Sequence, residues 1–137
     1  MVFSTKQRTP WLTTGLREEL YGYIVGLLRN QGCVPIQTGG VEDHVHILFG
    51  LSRTVTVAQV AEKVKSASSK WIKEKGLVEF SWQAGYGAFS ISNGHVNAAV
   101  RYIQNQEEHH KSISYQDEFR ALMEEAGMVI DERYVWD

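Results

Sequence analysis

The sequence predicts an α+β domain, in which helices pack against an antiparallel sheet and the elements follow the order β-α-β-β-α-β-β-α-α. Two observations lead to this class. Short apolar runs bounded by Gly, Pro or polar residues have the length of strands, and the stretches between them carry Ser or Thr caps and apolar residues at helical spacing. Only short loops join these elements, so residues 1–137 are predicted to form a single domain.

A short strand and a long helix are predicted first. The apolar residues 2–4 form the strand, and a basic, polar segment follows it. Thr13 or Thr14 can cap a helix that runs to about Gln31 and stops at Gly32. The apolar residues at helical spacing are Leu16, Leu20, Ile24, Leu27 and Leu28. This helix therefore packs one face on a core.

A β-hairpin is predicted next. Residues 34–38 have the composition of a strand, and Pro35 favours the start of a strand or a sheet edge. Gly39 and Gly40 are predicted to turn the chain into a second strand at residues 44–49.

A second helix and two more strands occupy the middle of the chain. Residues 56–59 resemble a capping box, which opens a helix that reaches about Lys75 and ends at Gly76. Residues 80–82 and 86–91 are predicted as two further short strands.

Two helices are predicted after these strands. Ser92 or Asn93 can cap the first, which continues through about His110. Ser114 can cap the second, which ends before Gly127.

Composition indicates an ordinary globular protein. The apolar content is 43% and the charged content is 22%. No run approaches the roughly 18 apolar residues of a membrane-spanning helix, and residues 1–6 lack the pattern of a signal peptide. Cys33 is the sole cysteine, which excludes an internal disulfide and fits a reducing compartment. We therefore expect a cytoplasmic protein with no membrane partner.

The charge is distributed unevenly along the chain. The formal net charge is −2, but residues 1–106 carry 11 Lys/Arg against 7 Asp/Glu, a net charge of +4. Residues 107–137 carry 3 Lys/Arg against 9 Asp/Glu, a net charge of −6. The body of the domain is mildly basic, and charge alone decides no class of partner.

Two histidines interrupt an otherwise apolar predicted strand. His44 and His46 lie two residues apart, so both imidazoles project from one face of the strand. Neutral imidazoles bind divalent transition metals well. The pair is compatible with half of a metal site and, equally, with two structural histidines.

The third predicted helix offers a possible second half of that site. Tyr102, Gln106 and either His109 or His110 lie along one stripe of this helix. The apolar stripe that faces the core consists of Val96, Val100 and Ile103. In isolation, Tyr102 and Gln106 are also typical of a helix edge and a solvated face. A rival arrangement is an all-histidine zinc site of hydrolytic type, built from His44, His46 and His109 or His110.

Five stretches together resemble a known protein family. They are VFSTKxR at 2–8, EDHVHIL at 42–48, WQxGYGAFS at 82–90, YIxNQxxHH at 102–110 and DERY at 131–134. In this order they are similar to the single-tyrosine HUH transposases of small insertion sequences that move as single-stranded DNA, a group that includes the REP-associated tyrosine transposases. Relatives carry several residues ahead of the first stretch, which predicts a shortened first strand here.

The resemblance implies a fold, an activity and a role for each matching residue. The fold is a ferredoxin-like HUH palm. His44 and His46 match the HUH metal-binding pair, Tyr102 the nucleophile, and Gln106 the third metal ligand. The implied reaction cleaves and rejoins single-stranded DNA at hairpin-bearing ends, through a covalent 5′-phosphotyrosine, in a bacterial or archaeal cell. An amide ligand with open positions suits Mg²⁺ or Mn²⁺ better than a closed zinc site.

The resemblance also implies partners. Family members are homodimers in which a tyrosine-bearing helix can serve the partner's histidines, and Gly94 is a candidate hinge for that helix. Lys6 and Arg8 match a basic segment of the family, and the second helix offers Lys70 and Lys73 for DNA phosphates, or as a solvated face. The alternative function is a decayed or domesticated transposase that binds hairpin DNA without cleaving it.

Overall fold

The computed structural model describes residues 1–133 and 135–137. Its strands are β1 (Val2–Ser4), β2 (Val34–Val41) and β3 (His44–Gly50). Its helices are α1 (Thr14–Asn30), α2 (Val57–Glu74), α3 (Val96–Gln104), α4 (Gln106–His109) and α5 (Tyr115–Glu125), with short 3₁₀ turns at Lys6–Arg8 and Asn93–His95. The predicted α+β class is confirmed. The predicted DERY stretch includes Tyr134, which lies outside the described residues.

The strand register divides the sheet into two faces. The strands are antiparallel in the order β1-β3-β2, and His46 of β3 lies opposite Val2 on one side and Gly39 on the other. Because side chains alternate along a strand, His44 and His46 share one face and Val45 and Ile47 share the other. The second face packs against α1 and α2 in the main core, whose members include Phe3, Leu20, Ile24, Leu28, Val45, Ile47, Val60 and Val64.

The predicted helix boundaries are largely confirmed by their caps. Thr56 and Gln59 form the reciprocal capping box of α2, and the Ser114 hydroxyl accepts a hydrogen bond from the third residue of α5. Gly32 and Gly76 follow α1 and α2 with φ of +75° and +108°, in the left-handed region that glycine tolerates.

The hairpin between β2 and β3 is present, but the prediction that Gly39 and Gly40 form its turn is wrong. Both glycines lie inside β2, which continues to Val41, and the turn is at residues 42–43. A Cβ atom on Gly39 would lie 2.7 Å from the carbonyl oxygen of Ile103 in α3. Glycine is needed there because α3 crosses the sheet in direct backbone contact.

The two strands predicted after α2 do not form as regular strands. Single antiparallel bridges, from Thr5 to Trp82 and from Val2 to Gly87, tie this segment to the edge of the sheet. The Lys65 ammonium group donates to three successive carbonyl oxygens, those of residues 83–85, at 2.7, 2.9 and 2.8 Å. These carbonyl groups therefore bond to a side chain instead of continuing a ladder.

The third predicted helix is shorter than expected and is interrupted once. A 3₁₀ turn occupies Asn93–His95, and Asn105 separates α3 from α4. The amide of Asn105 still donates to the Arg101 carbonyl at 3.0 Å, so a helical hydrogen bond spans the end of α3. In the predicted apolar stripe, only Ile103 is fully buried. Within the described residues, no helix has the length and apolarity needed to cross a bilayer.

Candidate active site

Helices α3, α4 and α5 cover the face of the sheet that carries the two histidines. His44 and His46 are 0% and 6% exposed, and Gln106 is 1% exposed. The structure therefore brings together the histidine pair of β3, Tyr102 of α3 and Gln106 of α4, the residues that the family resemblance groups in one site. Their catalytic and metal-binding roles stay predictions.

A carboxylate that the sequence analysis did not single out lies at the centre of this group. Glu118 of α5 is 2% exposed. Its Oε1 atom lies 2.9 Å from the Nε2 atom of His46 and 3.3 Å from the Nε2 atom of His44. Its Oε2 atom accepts hydrogen bonds from the Tyr102 hydroxyl and, at 3.0 Å, from the Gln106 amide nitrogen.

A sequence signal for Glu118 does exist. The buried face of α5 includes Tyr115 and Phe119, so Glu118 lies within an apolar stripe where a carboxylate is costly without partners. It also lies in the acidic part of the chain, where eight other carboxylate side chains make it inconspicuous.

The hydrogen bonds of His44 fix which of its two ring nitrogens faces the other residues of the site. The Nδ1 atom lies 2.7 Å from an Asp43 carboxylate oxygen, to which it donates a hydrogen bond. The Nε2 atom then faces two acceptors, the Gln106 carbonyl oxygen at 3.0 Å and Glu118 Oε1 at 3.3 Å. An imidazole nitrogen surrounded by oxygens needs a proton or a metal cation between them.

The charges of the site are strongly coupled. Burial opposes protonation of His44, but the hydrogen bonds to Asp43 and Glu118 outweigh it and raise the pKa of His44 to about 9. Burial lowers the pKa of His46 below its ordinary value, against the hydrogen bond to Glu118. Burial would raise the pKa of Glu118, but the surrounding imidazoles hold it well below the usual range.

The Tyr102 hydroxyl is held in its protonated form when the cluster contains no cation. Burial first, and then the hydrogen bond to the Glu118 carboxylate, raise the pKa of Tyr102 above its ordinary value. Nucleophilic use of this oxygen therefore requires a change in the charge of its surroundings.

The donor set fits a divalent metal ion. The ligand atoms of His44, His46 and Glu118 all lie within 4.8 Å of one another, and the Gln106 oxygen is 3.0 Å from His44. Neighbouring ligands on an ion with bonds of about 2.1 Å lie roughly 3.0–3.4 Å apart, in octahedral or tetrahedral geometry. The Asp43 carboxylate behind His44 is the partner that metal-binding histidines commonly have.

The Nε2 atoms of His44, His46 and His110 lie 3.3, 2.9 and 3.2 Å from the same Glu118 Oε1 atom, and the all-histidine zinc site stays a prediction. His109 and His110 also form a group with Glu118, in which the Nε2 atoms lie 3.2 Å from Oε2 and Oε1, respectively, and the ring centroids of His44 and His110 are 4.4 Å apart. Neither Nε2 atom has a hydrogen-bond partner among the described residues, although both atoms are buried.

The basic residues predicted to contact DNA lie in two places. Lys6 and Arg8 follow Thr5, whose amide donates to the Asp43 carbonyl at 2.8 Å, so this segment adjoins the histidine strand. Lys70 and Lys73 are exposed on α2, which packs on the other face of the sheet. The structure therefore does not bring these two pairs together.

The candidate hinge Gly94 lies in the 3₁₀ turn before α3. It is exposed, and a Cβ atom there would meet nothing within 4 Å. A side chain at this position would therefore have room, and the hinge role of Gly94 stays a prediction.

Solved structures share this fold. A candidate transposase from Deinococcus radiodurans R1 has a TM-score of 0.59 at 21% identity, over 77% of this chain and 86% of that chain. A REP-associated tyrosine transposase bound to a REP hairpin has a TM-score of 0.63 at 18% identity, over 82% of this chain and 67% of that chain. No curated protein sequence matches this chain.

The sequence profile of IS200-like transposases matches residues 1–106, from the first strand through Gln106. The match includes the histidine pair, Tyr102 and Gln106, and it ends before His109, His110 and Glu118. It covers well over half of the chain, and the fold agrees with it. The chain belongs to the IS200-like transposase family.

Proposed function

We propose that this protein cleaves and rejoins single-stranded DNA at hairpin-bearing ends through a covalent 5′-phosphotyrosine at Tyr102. The observation that carries the proposal is the hydrogen bond of the Tyr102 hydroxyl to Glu118, the carboxylate that also contacts His44 and His46. A tyrosine hydroxyl, a carboxylate and imidazoles of the kind that bind metals thus meet in one largely buried cluster.

The proposed reaction assigns a step to each of these groups. Tyr102 Oη would attack the scissile phosphorus while its proton passes to Glu118 Oε2. The bond between phosphorus and the 3′ oxygen breaks, and that oxygen takes up a proton and leaves as a free hydroxyl group. Attack by another 3′ hydroxyl on the phosphotyrosine reverses these steps and rejoins the strand.

His44, His46 and Gln106 would hold the divalent cation, Mg²⁺ or Mn²⁺. When bound, it supplies charge stabilisation at the scissile phosphate. Asp43 orients His44 for this purpose, since its carboxylate lies 2.7 Å from Nδ1.

The DNA contacts are proposed from charge and position. Lys6 and Arg8 adjoin the histidine strand and would bind phosphates next to the reacting group, whereas Lys70 and Lys73 would contact a more distant part of a hairpin. A hairpin is proposed because the REP-associated relative is bound to one. A homodimer, with Tyr102 serving its own or its partner's histidines, completes the proposal.

The test is the formation of a covalent adduct. Wild-type protein incubated with labelled single-stranded hairpin DNA and Mn²⁺ should yield a labelled band that resists denaturation. Tyr102→Phe should yield none, because it lacks the attacking oxygen. Tyr23→Phe, on α1, is the matched control and should behave as wild type. An undiminished adduct with Tyr102→Phe would refute the proposal.

A second candidate function is hairpin binding without cleavage, as in a decayed or domesticated transposase. The raised pKa of Tyr102, which keeps its hydroxyl protonated, favours it. In that case hairpin binding weakens steeply with salt. No metal then produces an adduct.

A further inference from the structure

We propose that Gln83 is a positioning residue of the site. Its side-chain amide bonds to Ser4 of β1 and to Tyr115 of α5, and these two bonds fix the position of Glu118 relative to His44. The inference rests on the proposed function for what Glu118 and His44 do in the reaction. Gln83 acts through Tyr115 and not by contact with DNA.

The Gln83 side chain joins three segments that are far apart in sequence. It is 3% exposed, and its Oε1 atom accepts hydrogen bonds from the Ser4 amide at 2.8 Å and from the Tyr115 hydroxyl at 3.1 Å. Its Nε2 atom donates to the Val135 carbonyl oxygen at 3.1 Å. The loss of such an amide is costly, because each lost bond leaves a buried polar group unpaired.

The direction of the bond to Tyr115 follows from the other two bonds. A backbone amide only donates and a carbonyl oxygen only accepts, so Ser4 and Val135 fix which end of the Gln83 amide is the oxygen. The Tyr115 hydroxyl contacts that oxygen and therefore donates its proton to it. Exchange of the two ends of the amide would break all three bonds.

The backbone of Gln83 is anchored beside His44. Its amide donates to the Ser4 carbonyl oxygen at 2.9 Å, so backbone and side chain both bond to Ser4. Ser4 lies directly opposite His44 in the sheet. The Gln83 carbonyl oxygen accepts from the Lys65 ammonium group at 2.7 Å. Gln83 is therefore held at a fixed place relative to the histidine strand.

Tyr115 carries this anchor to the site. It is 3% exposed and begins α5, one helical turn before Glu118. The centroid of its ring lies 4.6 Å from that of His44. If the Tyr115 hydroxyl left Gln83, the ring would move against the His44 imidazole, and the first turn of α5 would move with it. That turn carries Glu118.

The experiment separates the rate constant of adduct formation from its amplitude. It uses the full chain in single turnovers with saturating hairpin DNA and Mn²⁺. Gln83→Met removes all three bonds at similar volume, and the rate constant should fall by about tenfold with hairpin affinity unchanged. Tyr115→Phe removes one bond and should lower the rate constant by a smaller factor. Adding Tyr115→Phe to Gln83→Met should change little more, because both act through one bond.

A purely structural role would lower the folded fraction, and with it the amplitude, but not the rate constant of the folded molecules. Val64→Ala, in the main core on α2, is the matched control. It should lose stability in urea and keep the wild-type rate constant. A wild-type rate constant for Gln83→Met, or additive effects in the double variant, would overturn the proposal. If Gln83→Met does not fold, as judged by circular dichroism, a wild-type rate constant for Tyr115→Phe overturns it.

Mn²⁺ affinity gives a readout that needs no DNA cleavage. Isothermal titration should show about tenfold weaker binding to Gln83→Met than to wild type or Val64→Ala, because the displaced Tyr115 ring disturbs His44. If wild type forms no adduct but this difference is found, only the proposed function is refuted. If wild type forms the adduct and Gln83→Met matches it in rate constant and in Mn²⁺ affinity, only this inference is refuted.

Discussion

At the scale of single residues, Glu118 decides the properties of the site. Its two oxygens contact Tyr102, Gln106 and imidazoles from two elements. A carboxylate with so many donors stays ionised, so in the absence of metal it carries the negative charge that the imidazoles require. A divalent cation bound to the carboxylate and the imidazoles would take the place of the protons on the imidazole nitrogens.

The orientation of His44 should depend on Asp43. Asp43→Asn removes the charged acceptor 2.7 Å from Nδ1, and we expect the affinity for Mn²⁺ to fall by about 10–100-fold. Isothermal titration measures this affinity. Glu42→Gln is the matched control, because Glu42 is an exposed neighbouring carboxylate without a described contact to the site. Equal affinities for the two variants would contradict the role of Asp43.

The stability of the metal-free protein should depend on pH through His44. Its folded-state pKa of about 9 lies above the ordinary value of 6.5, so its protonation stabilises the fold fully below pH 6.5 and is lost as the pH rises through 9. The effect is at most about 3 kcal/mol.

Urea denaturation of wild type and of His44→Gln, both with chelator, measures this contribution. The difference between their unfolding free energies should shrink as the pH is raised from 6.5 to 9.5. Taking the difference cancels other groups, such as Lys65, whose burial lowers its pKa to about 8 and which acts in the opposite direction. A difference that is constant across this range would show that His44 does not titrate as described.

At the scale of elements, the position of α3 on the sheet is set by a residue that has no side chain. Gly39 lies opposite His46 in the sheet, and its Cα faces the backbone of Ile103. Tyr102 is the residue before Ile103, so the same close contact sets the height of the tyrosine above the histidines.

Gly39→Ala should displace α3. The new methyl group would lie 2.7 Å from the Ile103 carbonyl oxygen and 2.8 Å from its Cγ2 atom, and we expect a loss of about 1–3 kcal/mol in unfolding free energy. Adduct formation should fall with it. Gly22→Ala is the control, because nothing lies within 4 Å of a Cβ atom there and alanine favours a helix.

Denaturant unfolding of both variants tests this prediction. An unchanged midpoint for Gly39→Ala would mean that α3 does not approach the sheet as closely as described. A destabilised Gly22→Ala would mean that the loss does not report on the contact with α3.

At the scale of the whole molecule, the sheet separates stability from chemistry. Its Val45 face packs on α1 and α2 in the main core, and its His44 face is covered by later elements that carry the polar cluster. A smaller core of Val2, Tyr115 and Phe119 holds α5 in place. The acidic end of the chain thus supplies a structural cover and the central carboxylate of the site.

Local patterns in the sequence determined much of this protein. Alternation along β3 places His44 and His46 on one face, and the capping box at Thr56 and the Ser114 cap begin two helices where predicted. These features depend on neighbouring residues in the chain, so sequence spacing is sufficient to predict them. The approach of Tyr102 and Gln106 to the pair also agrees with the spacing of the family motifs.

Only the tertiary structure decided the rest. Three of its features join segments far apart in sequence. They are the contacts of Glu118 with the imidazoles, the close approach of α3 that requires glycine at position 39, and the hydrogen bonds from Lys65 to carbonyl groups where a strand was predicted. Nothing in the local pattern around each residue encodes its distant partner. The free energy of such contacts depends on the fold that brings the partners together, and so their roles emerge only when the chain is folded.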